Sequence, residues 1–308
     1  MNREKVIVIG SGPAGLTAAL YTARARLAPL VLVGDILGGQ ISLTYEVENY
    51  PGFPEALTGA ELVERMQRQA ERFGARLEYD SVIAVDFTHG SPFYVKTTSQ
   101  EYETDAVIVA VGASPRKLHV PGEAEFTGRG VSYCATCDGF FFRDKDVVVV
   151  GGGDSALEEA IFLTRFAGKV TVVHRRDTLR AGPTLQQRAL GNPKIDFLWD
   201  TVVEAIEGDS VVQRVRLRNV KTDGISAFKT DGVFIFIGHE PNGAVFQGQV
   251  AMDEHGYIVT DKWMHTSVEG VFAAGEIQDR VYRQIATSVG QGTAAAMSCE
   301  RWLSSREA

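Results

Sequence analysis

The chain is poor in cysteine, with three in 308 residues. A secreted disulfide framework needs more, so covalent staples do not hold this fold together. Positive charge is also in deficit: 31 Lys and Arg stand against 39 Asp and Glu, a formal net charge of −8. An acidic surface argues against nucleic acid or an anionic membrane as a partner. No apolar run approaches the ~18 residues of a membrane span. The N-terminus, Met1 to Lys5, leads straight into an apolar strand with no signal-type cleavage pattern. The expectation is a cytoplasmic protein. Hydrophobic residues at 44% and charged residues at 23% exclude a disordered, collagen-like or coiled-coil chain. The length predicts roughly two domains, each large enough to bury its own core. What the chain has in quantity is glycine, 32 residues, and these are clustered.

The clusters punctuate a repeating pattern. Residues 6–9 are continuous, apolar and β-branched, as in a strand buried on both faces. Residues 10–15 break it, 16–26 read as an Ala-rich helix, and 30–33 as the next strand. This is a βαβ unit, which requires a parallel sheet. The unit recurs with Val147 to Val150, then Gly151-Gly152-Gly153, a helix from Ser155 to about Ala167, and a strand at 170–173. The stretch 104–112 also resembles 230–238. Before each copy, 80–104 and 204–230 read as short antiparallel strands, with turns at His89-Gly90-Ser91-Pro92 and Asp223-Gly224. Residues 265–279 return to a strand-and-glycine pattern, and 283–303 form a helix with no counterpart in the second unit. The economical reading is an α/β protein of two Rossmann-like, three-layer ββα nucleotide-binding domains. The second, 117–242, is inserted into the first, 1–116 and 243–308.

Four motifs carry chemistry. In Gly10-Ser11-Gly12-Pro13-Ala14-Gly15, the first glycine permits a tight turn and the second lets a pyrophosphate approach the backbone. The third lets helix and strand pack closely, and the helix N-terminus offers N–H groups to phosphates. Asp35 is a weak candidate for a ribose contact. In the second turn, Gly151, Gly153 and Ala156 fit the same pattern; Asp154 is suited to cap the helix, and Ser155 opens it. The following strand ends in His174-Arg175-Arg176, with Arg180 a turn further, where an NAD site places a carboxylate. Cations there suit a 2′-phosphate and favour NADPH over NADH. A solvated basic loop is the plainer alternative.

The third motif is Cys134-Ala135-Thr136-Cys137-Asp138. The spacing suits a small, reducible disulfide. Half of a zinc site is a second possibility, but two more ligands are missing and no metal is expected. A structural disulfide fits a reducing cytosol poorly. A redox-active pair is the strongest reading, with Asp138 as a candidate general acid or else a turn cap. Cys299 reads as core packing. In the fourth motif, a strand at 271–274 ends at Gly275 and Glu276, an acid able to bind a cofactor hydroxyl. A helix after Arg283 and Gln284 points its N-terminus at the same place.

Together these residues make the chain resemble the bacterial-type, low-molecular-weight thioredoxin reductases. The resemblance spans essentially the whole length. It includes Gly10 to Gly15, Gly38-Gly39-Gln40, Glu48-Asn49-Tyr50-Pro51-Gly52, Cys134 to Phe140, Gly151 to Ala156, His174 to Asp177, Gly275 to Asp279 and Arg283-Gln284. It implies FAD in the first domain, held by the first glycine turn with Gly39, Gln40, Asn49, Gly112, Gly275, Glu276, Arg283, Gln284 and Ile285. It implies NADPH in the second, a homodimer, and thioredoxin as acceptor, with Cys134, Cys137 and Asp138 as catalytic residues and Cys137 nearer the flavin. Two departures touch the flavin region: Glu276 stands where the family has aspartate, and Val111 where it has threonine. Because the cysteines and the NADPH site share one domain, that domain is expected to rotate about 117–122 and 238–243.

Other functions fit less well. A flavin or ferredoxin reductase of this fold needs no cysteine pair, and neither does a nucleotide-sensing module. The flavoprotein of a peroxide-reducing system would carry a redox domain before the first glycine turn, which here begins at residue 10. A metabolite dithiol oxidase loses the basic NADPH pocket. A related flavin-dependent reductase of another protein or small disulfide is the alternative function.

Overall fold

The computed structural model describes residues 2–44 and 46–307; the expected outer bounds at Met1 and Ala308 fall outside them. Internal contacts divide the chain into two compact units, Met1–Ser114 with Glu240–Ala308, and Pro115–His239. The divisions lie a few residues before the boundaries expected from the sequence.

In chain order, the first unit opens with β1 (Asn2–Ile9), α1 (Pro13–Arg24), β2 (Leu30–Leu32), α2 (Gly59–Arg72) and β3 (Arg76–Glu78). Next come β4 (Val82–Asp86), β5 (Phe93–Thr97), β6 (Glu101–Val109) and β7 (Ala113–Pro115). The second unit holds α3 (Glu123–Phe126), β8 (Val131–Ser132), α4 (Ala135–Asp138), β9 (Asp146–Gly151), α5 (Asp154–Leu163) and β10 (Lys169–Val173). It continues through α6 (Pro183–Leu190), β11 (Ile195–Leu198), β12 (Thr201–Gly208), β13 (Val212–Asn219), β14 (Ile225–Lys229) and β15 (Gly232–Phe236). The chain returns through β16 (His239–Pro241), β17 (Val271–Ala273) and α7 (Ile285–Glu307). At the two crossings, β7 and β16 pair as a two-stranded sheet.

In the first unit the sheet order is β3-β2-β1-β6-β5-β4, with β17 also on β6. The first half of β6 pairs antiparallel with β5, and the second half pairs parallel with β17. Strand β1 alternates its faces. Val6 and Val8 pack with Ala14, Ala18 and Ala23 of α1 and Ala295, Cys299 and Leu303 of α7. Ile7 and Ile9 face the opposite layer with Phe87, Phe93 and Val95. Both faces are buried, which is why this strand reads as an unbroken apolar run.

The second unit repeats the scheme. Its parallel sheet runs β11-β10-β9-β15-β8, and β12-β13-β14 form a separate antiparallel sheet. Val147 and Val149 pack with Leu157, Ala160 and Leu163 of α5. Val148 and Val150 pack with Val203, Val215 and Leu217 of the antiparallel sheet. The two three-layer ββα units agree with the expected fold class. Helix bounds differ from expectation at identifiable places. Helix α1 starts earlier, because Pro13 is tolerated in a first turn. Helix α5 stops at Leu163; Lys194 Nζ then donates to the carbonyls of Thr164 and Ala167 at 3.0 and 2.8 Å, satisfying acceptors beyond the helix end.

Candidate active site

Strand β8 delivers the chain to the cysteine motif. Its last residue, Ser132, is 4% exposed and in register with Phe234 of β15. Cys134 caps α4, its Sγ accepting from Cys137 N at 3.2 Å. Cys134 and Cys137 form a disulfide, with Cα atoms 5.3 Å apart. Asp138 ends the turn: its N donates to Cys134 O at 3.2 Å, and Oδ2 lies 2.5 Å from Ser132 Oγ. Burial pushes the Asp138 carboxyl up from its ordinary value, against the Ser132 hydrogen bond, which lowers it. A carboxyl so placed holds a proton closer to neutral pH. Cys299 is buried in α7, where burial pushes its thiol up; it stands apart from this centre.

The first glycine turn assigns each glycine a different task. A Cβ at Gly10, whose φ is +106°, would lie 2.4 Å from Ala110 O, and one at Gly15 would lie 1.9 Å from Gly10 O. These two positions serve close packing. A Cβ at Gly12 would meet only Gly38 O at 3.9 Å, so this backbone faces an open cradle at the start of α1. Ser11 turns inward: its Oγ donates to Val33 O at 3.0 Å and accepts from Gly38 N at 3.2 Å. It ties the turn to the Gly39–Leu43 helical turn that carries Gln40. Gly275 joins the same edge. A Cβ there would touch that of Ala14 at 2.9 Å, and its N donates to Gln291 Oε1 at 3.0 Å.

Glu276, next in the chain, is largely desolvated. Burial pushes its carboxyl up to about 7, with Arg283 opposing and Asp279 reinforcing the rise. Asn49 Nδ2 donates to Gln284 Oε1 at 3.3 Å, and Ile285 opens α7 beside Val47 and Leu57. The first-unit residues singled out from sequence therefore gather where α1 and α7 begin. Two glycine-lined helix starts and one desolvated acid fit a dinucleotide with a hydroxylated chain. Sequence reading missed Asn242, whose N donates to Gly112 O at 3.0 Å and whose Nδ2 donates to Val111 O at 2.9 Å. It missed the bracing role of Asp279 too, which accepts from Val281 N, Tyr282 N and Gln291 Nε2. An acid two residues before a free-running loop is the only signal for the latter.

The second glycine turn differs from expectation in two side chains. Asp154 does not cap its own helix. Its Oδ1 accepts from Gly182 N at 2.7 Å, tying the start of α5 to the start of α6. His174 is not an exposed cation. It is buried, its Nε2 meets Thr178 O at 3.0 Å, and a Cβ on Gly152 would lie 2.3 Å from its ring. Burial lowers its proton affinity, which hydrogen bonds to the Thr178 and Gly151 backbone partly restore. The ring is wedged under the turn against Gly152. Arg175, Arg176 and Arg180 are exposed. Arg180 N and Ala181 N both donate to Gly152 O, at 2.7 and 3.2 Å, and Arg180 Nη2 comes within 3.9 Å of a Cβ on Gly153. A guanidinium therefore stands at the N-terminus of α5, where Ser155 also lies. Helix α4 packs on α5, so the disulfide and the glycine turn belong to one compact unit.

The second unit thus holds a disulfide and a glycine turn at a helix start, and the first unit holds a glycine turn of its own. The family model for "Pyridine nucleotide-disulphide oxidoreductase" matches residues 4–292. The chain belongs to this family. Among curated relatives of the oxidoreductase, a thioredoxin reductase of Mycolicibacterium smegmatis is 52% identical over 98% of this chain and 97% of its own length. One from Streptomyces coelicolor is 50% identical over 97% and 94%. The crystal structure of a thioredoxin reductase from Streptococcus pyogenes superposes with a TM-score of 0.94 at 46% identity, covering 98% of this chain and 99% of that one. The resemblance to thioredoxin reductases drawn from the motifs is borne out. Among the described residues, no helix of this oxidoreductase is long and apolar enough to cross a membrane.

Proposed function

We propose that the protein is an NADPH-dependent thioredoxin-disulfide reductase. The observation that carries this reading is the Cys134–Cys137 disulfide at the start of a helical turn, with Asp138 half-buried beside Ser132 and the basic glycine turn in the same unit. FAD, when bound, relays electron pairs from NADPH to the disulfide. Gly12 and the start of α1 would take its pyrophosphate, while Glu276 and the start of α7 would take its hydroxylated chain. Arg175 and Arg176 would take the 2′-phosphate of NADPH, with Arg180 beside the turn. The chain's own chemistry is then proton handling. Asp138 protonates one thiolate as the disulfide opens, and the other remains available as nucleophile toward thioredoxin.

A homodimer belongs to this reading, and Met297 of α7 and Tyr21 of α1, the helix α7 packs on, are left exposed at 45% and 40%. A cytoplasmic location is part of the same reading. The test is NADPH oxidation followed with and without a thioredoxin from the same organism. Acceptor-dependent oxidation supports the reading. Oxidation with a small aromatic disulfide but none with thioredoxin overturns it in favour of another disulfide substrate. Asp138→Asn should retain FAD and NADPH yet slow the acceptor-dependent rate by roughly 10²-fold, the scale of one general acid.

A further inference from the structure

Ser132 touches three polar groups of the redox centre. Its Oγ lies 2.5 Å from Asp138 Oδ2 and 3.2 Å from Cys134 O, and it accepts from Cys134 N at 3.1 Å. A hydroxyl has one proton to donate and two lone pairs. It cannot donate to Asp138 and to Cys134 O at once. With Asp138 ionised, the Ser132 proton points at Oδ2. With Asp138 protonated, the carboxyl donates to Oγ and the serine proton turns to Cys134 O. Cys134 N donates to Oγ in both arrangements, so every group is satisfied in both.

We propose that Ser132 is a positioning residue for the dithiol–disulfide reaction, its hydroxyl turning about one bond to keep Asp138 hydrogen-bonded in both protonation states. This rests on the proposed function above. The electron pair supplied by NADPH breaks the S–S bond and leaves two thiolate sulfurs. One forms an S–H bond with the proton of Asp138, whose O–H swings from Ser132 toward the sulfur and breaks, and Asp138 becomes a partly buried carboxylate. A buried charge without a donor is costly. Ser132 supplies the donor as the charge appears, by turning its hydroxyl from Cys134 O to Asp138 Oδ2. When the thiol later returns its proton, the hydroxyl turns back. Its own backbone is held in register with Phe234 of β15, so the pivot is fixed to the sheet.

The experiment uses the full-length holoenzyme with Ser132→Ala, Ser132→Thr, Asp138→Asn and the double variant Ser132→Ala, Asp138→Asn. Ser132→Ala should lower kcat with thioredoxin about tenfold, less than the ~10²-fold scale of losing the acid itself. KM for thioredoxin and for NADPH should stay within about twofold. Ser132→Thr, which keeps the hydroxyl, should recover most of the rate. The double variant should be no slower than Asp138→Asn alone, because both act through one proton. Parental kcat in Ser132→Ala, equal loss in Ser132→Ala and Ser132→Thr, or additive loss in the double variant overturns the proposal. Should Ser132→Ala lose FAD, Ser132→Val, which matches the threonine variant in shape but lacks its hydroxyl, carries the same test. If the unaltered protein does not reduce thioredoxin, the proposed function falls. The same comparison is then read with 5,5′-dithiobis(2-nitrobenzoate) as the disulfide, with the same outcomes deciding.

Discussion

Asp80 is a buried carboxyl and Asp138 a half-buried one, and their surroundings drive them in opposite directions. Burial raises both. At Asp80 it is outweighed by hydrogen bonds from Ser99, Thr97 and Thr98, which hold the carboxyl well below its usual range. Ser81 N and Ser99 N add backbone donors at 2.9 and 3.1 Å. At Asp138 one hydroxyl opposes burial and does not overcome it. The first is therefore a permanent anion that braces the loop between β5 and β6, and the second is able to exchange a proton. The linkage sign for Asp80 follows from its lowered folded value: its stabilisation is present above the unfolded pKa and is lost as pH falls toward the folded one. Asp80→Ala should cost about 1–3 kcal/mol at neutral pH, since it strands buried donors. Urea unfolding of the two proteins should show that full gap at pH 6–7, narrowing only below about pH 4. A gap independent of pH down to acid unfolding would mean that packing, not charge, is what the aspartate supplies.

Between the residue and the whole chain, the glycine turns are the elements that decide function. Gly12 and Gly15 sit in one motif but should fail differently. A Cβ at Gly15 would collide with Gly10 O, whereas at Gly12 it enters open space, and the backbone there, φ −64°, suits alanine. Gly15→Ala should lower the unfolding midpoint of the apoprotein. Gly12→Ala should leave it unchanged while weakening FAD retention on dialysis. Loss of stability in both would mean that Gly12 is structural. In the second turn, Arg175→Ala with Arg176→Ala should raise KM for NADPH far more than for NADH. Each lost arginine–phosphate contact is worth ~1.5–3 kcal/mol, about one to two decades in affinity; equal effects on both nucleotides would contradict the assignment.

Much of this level was legible in the chain itself. The valine run of β9 and the glycines of both turns announce their elements by composition alone. What was not legible is where side chains turn. His174 reads as part of a basic run, but just past the end of β10 its ring packs under Gly152 while Arg175 and Arg176 stay outside. Asp154 reads as a cap, but its partner, Gly182, lies on the next helix. Ser132 and Glu123 carry no motif. Yet Glu123 is buried and accepts from Leu118 N, His119 N and the Tyr133 hydroxyl, and Tyr133 precedes Cys134. Such partners are joined by folding, not by spacing.

At the scale of the molecule, the proposed electron path imposes a geometric demand. The disulfide and the basic glycine turn belong to one unit, and the cradle proposed for FAD belongs to the other. Nicotinamide and disulfide must each reach the flavin in turn, and the dithiol must then reach a protein substrate. A single fixed arrangement cannot serve three encounters, so the units should reorient during turnover. The chain connects them only twice, through β7 and β16, which pair with each other. Gly238 at φ +115° and His119 at φ +58° flank these crossings. Glu123 fixes the backbone just beyond the first crossing, so motion would concentrate at the crossing strands. A bifunctional crosslink, verified by mass spectrometry to join the two units, should stop thioredoxin-dependent turnover while FAD stays bound. Cleaving the linker should restore the rate. Full activity in the verified crosslinked protein would show that one arrangement serves every step.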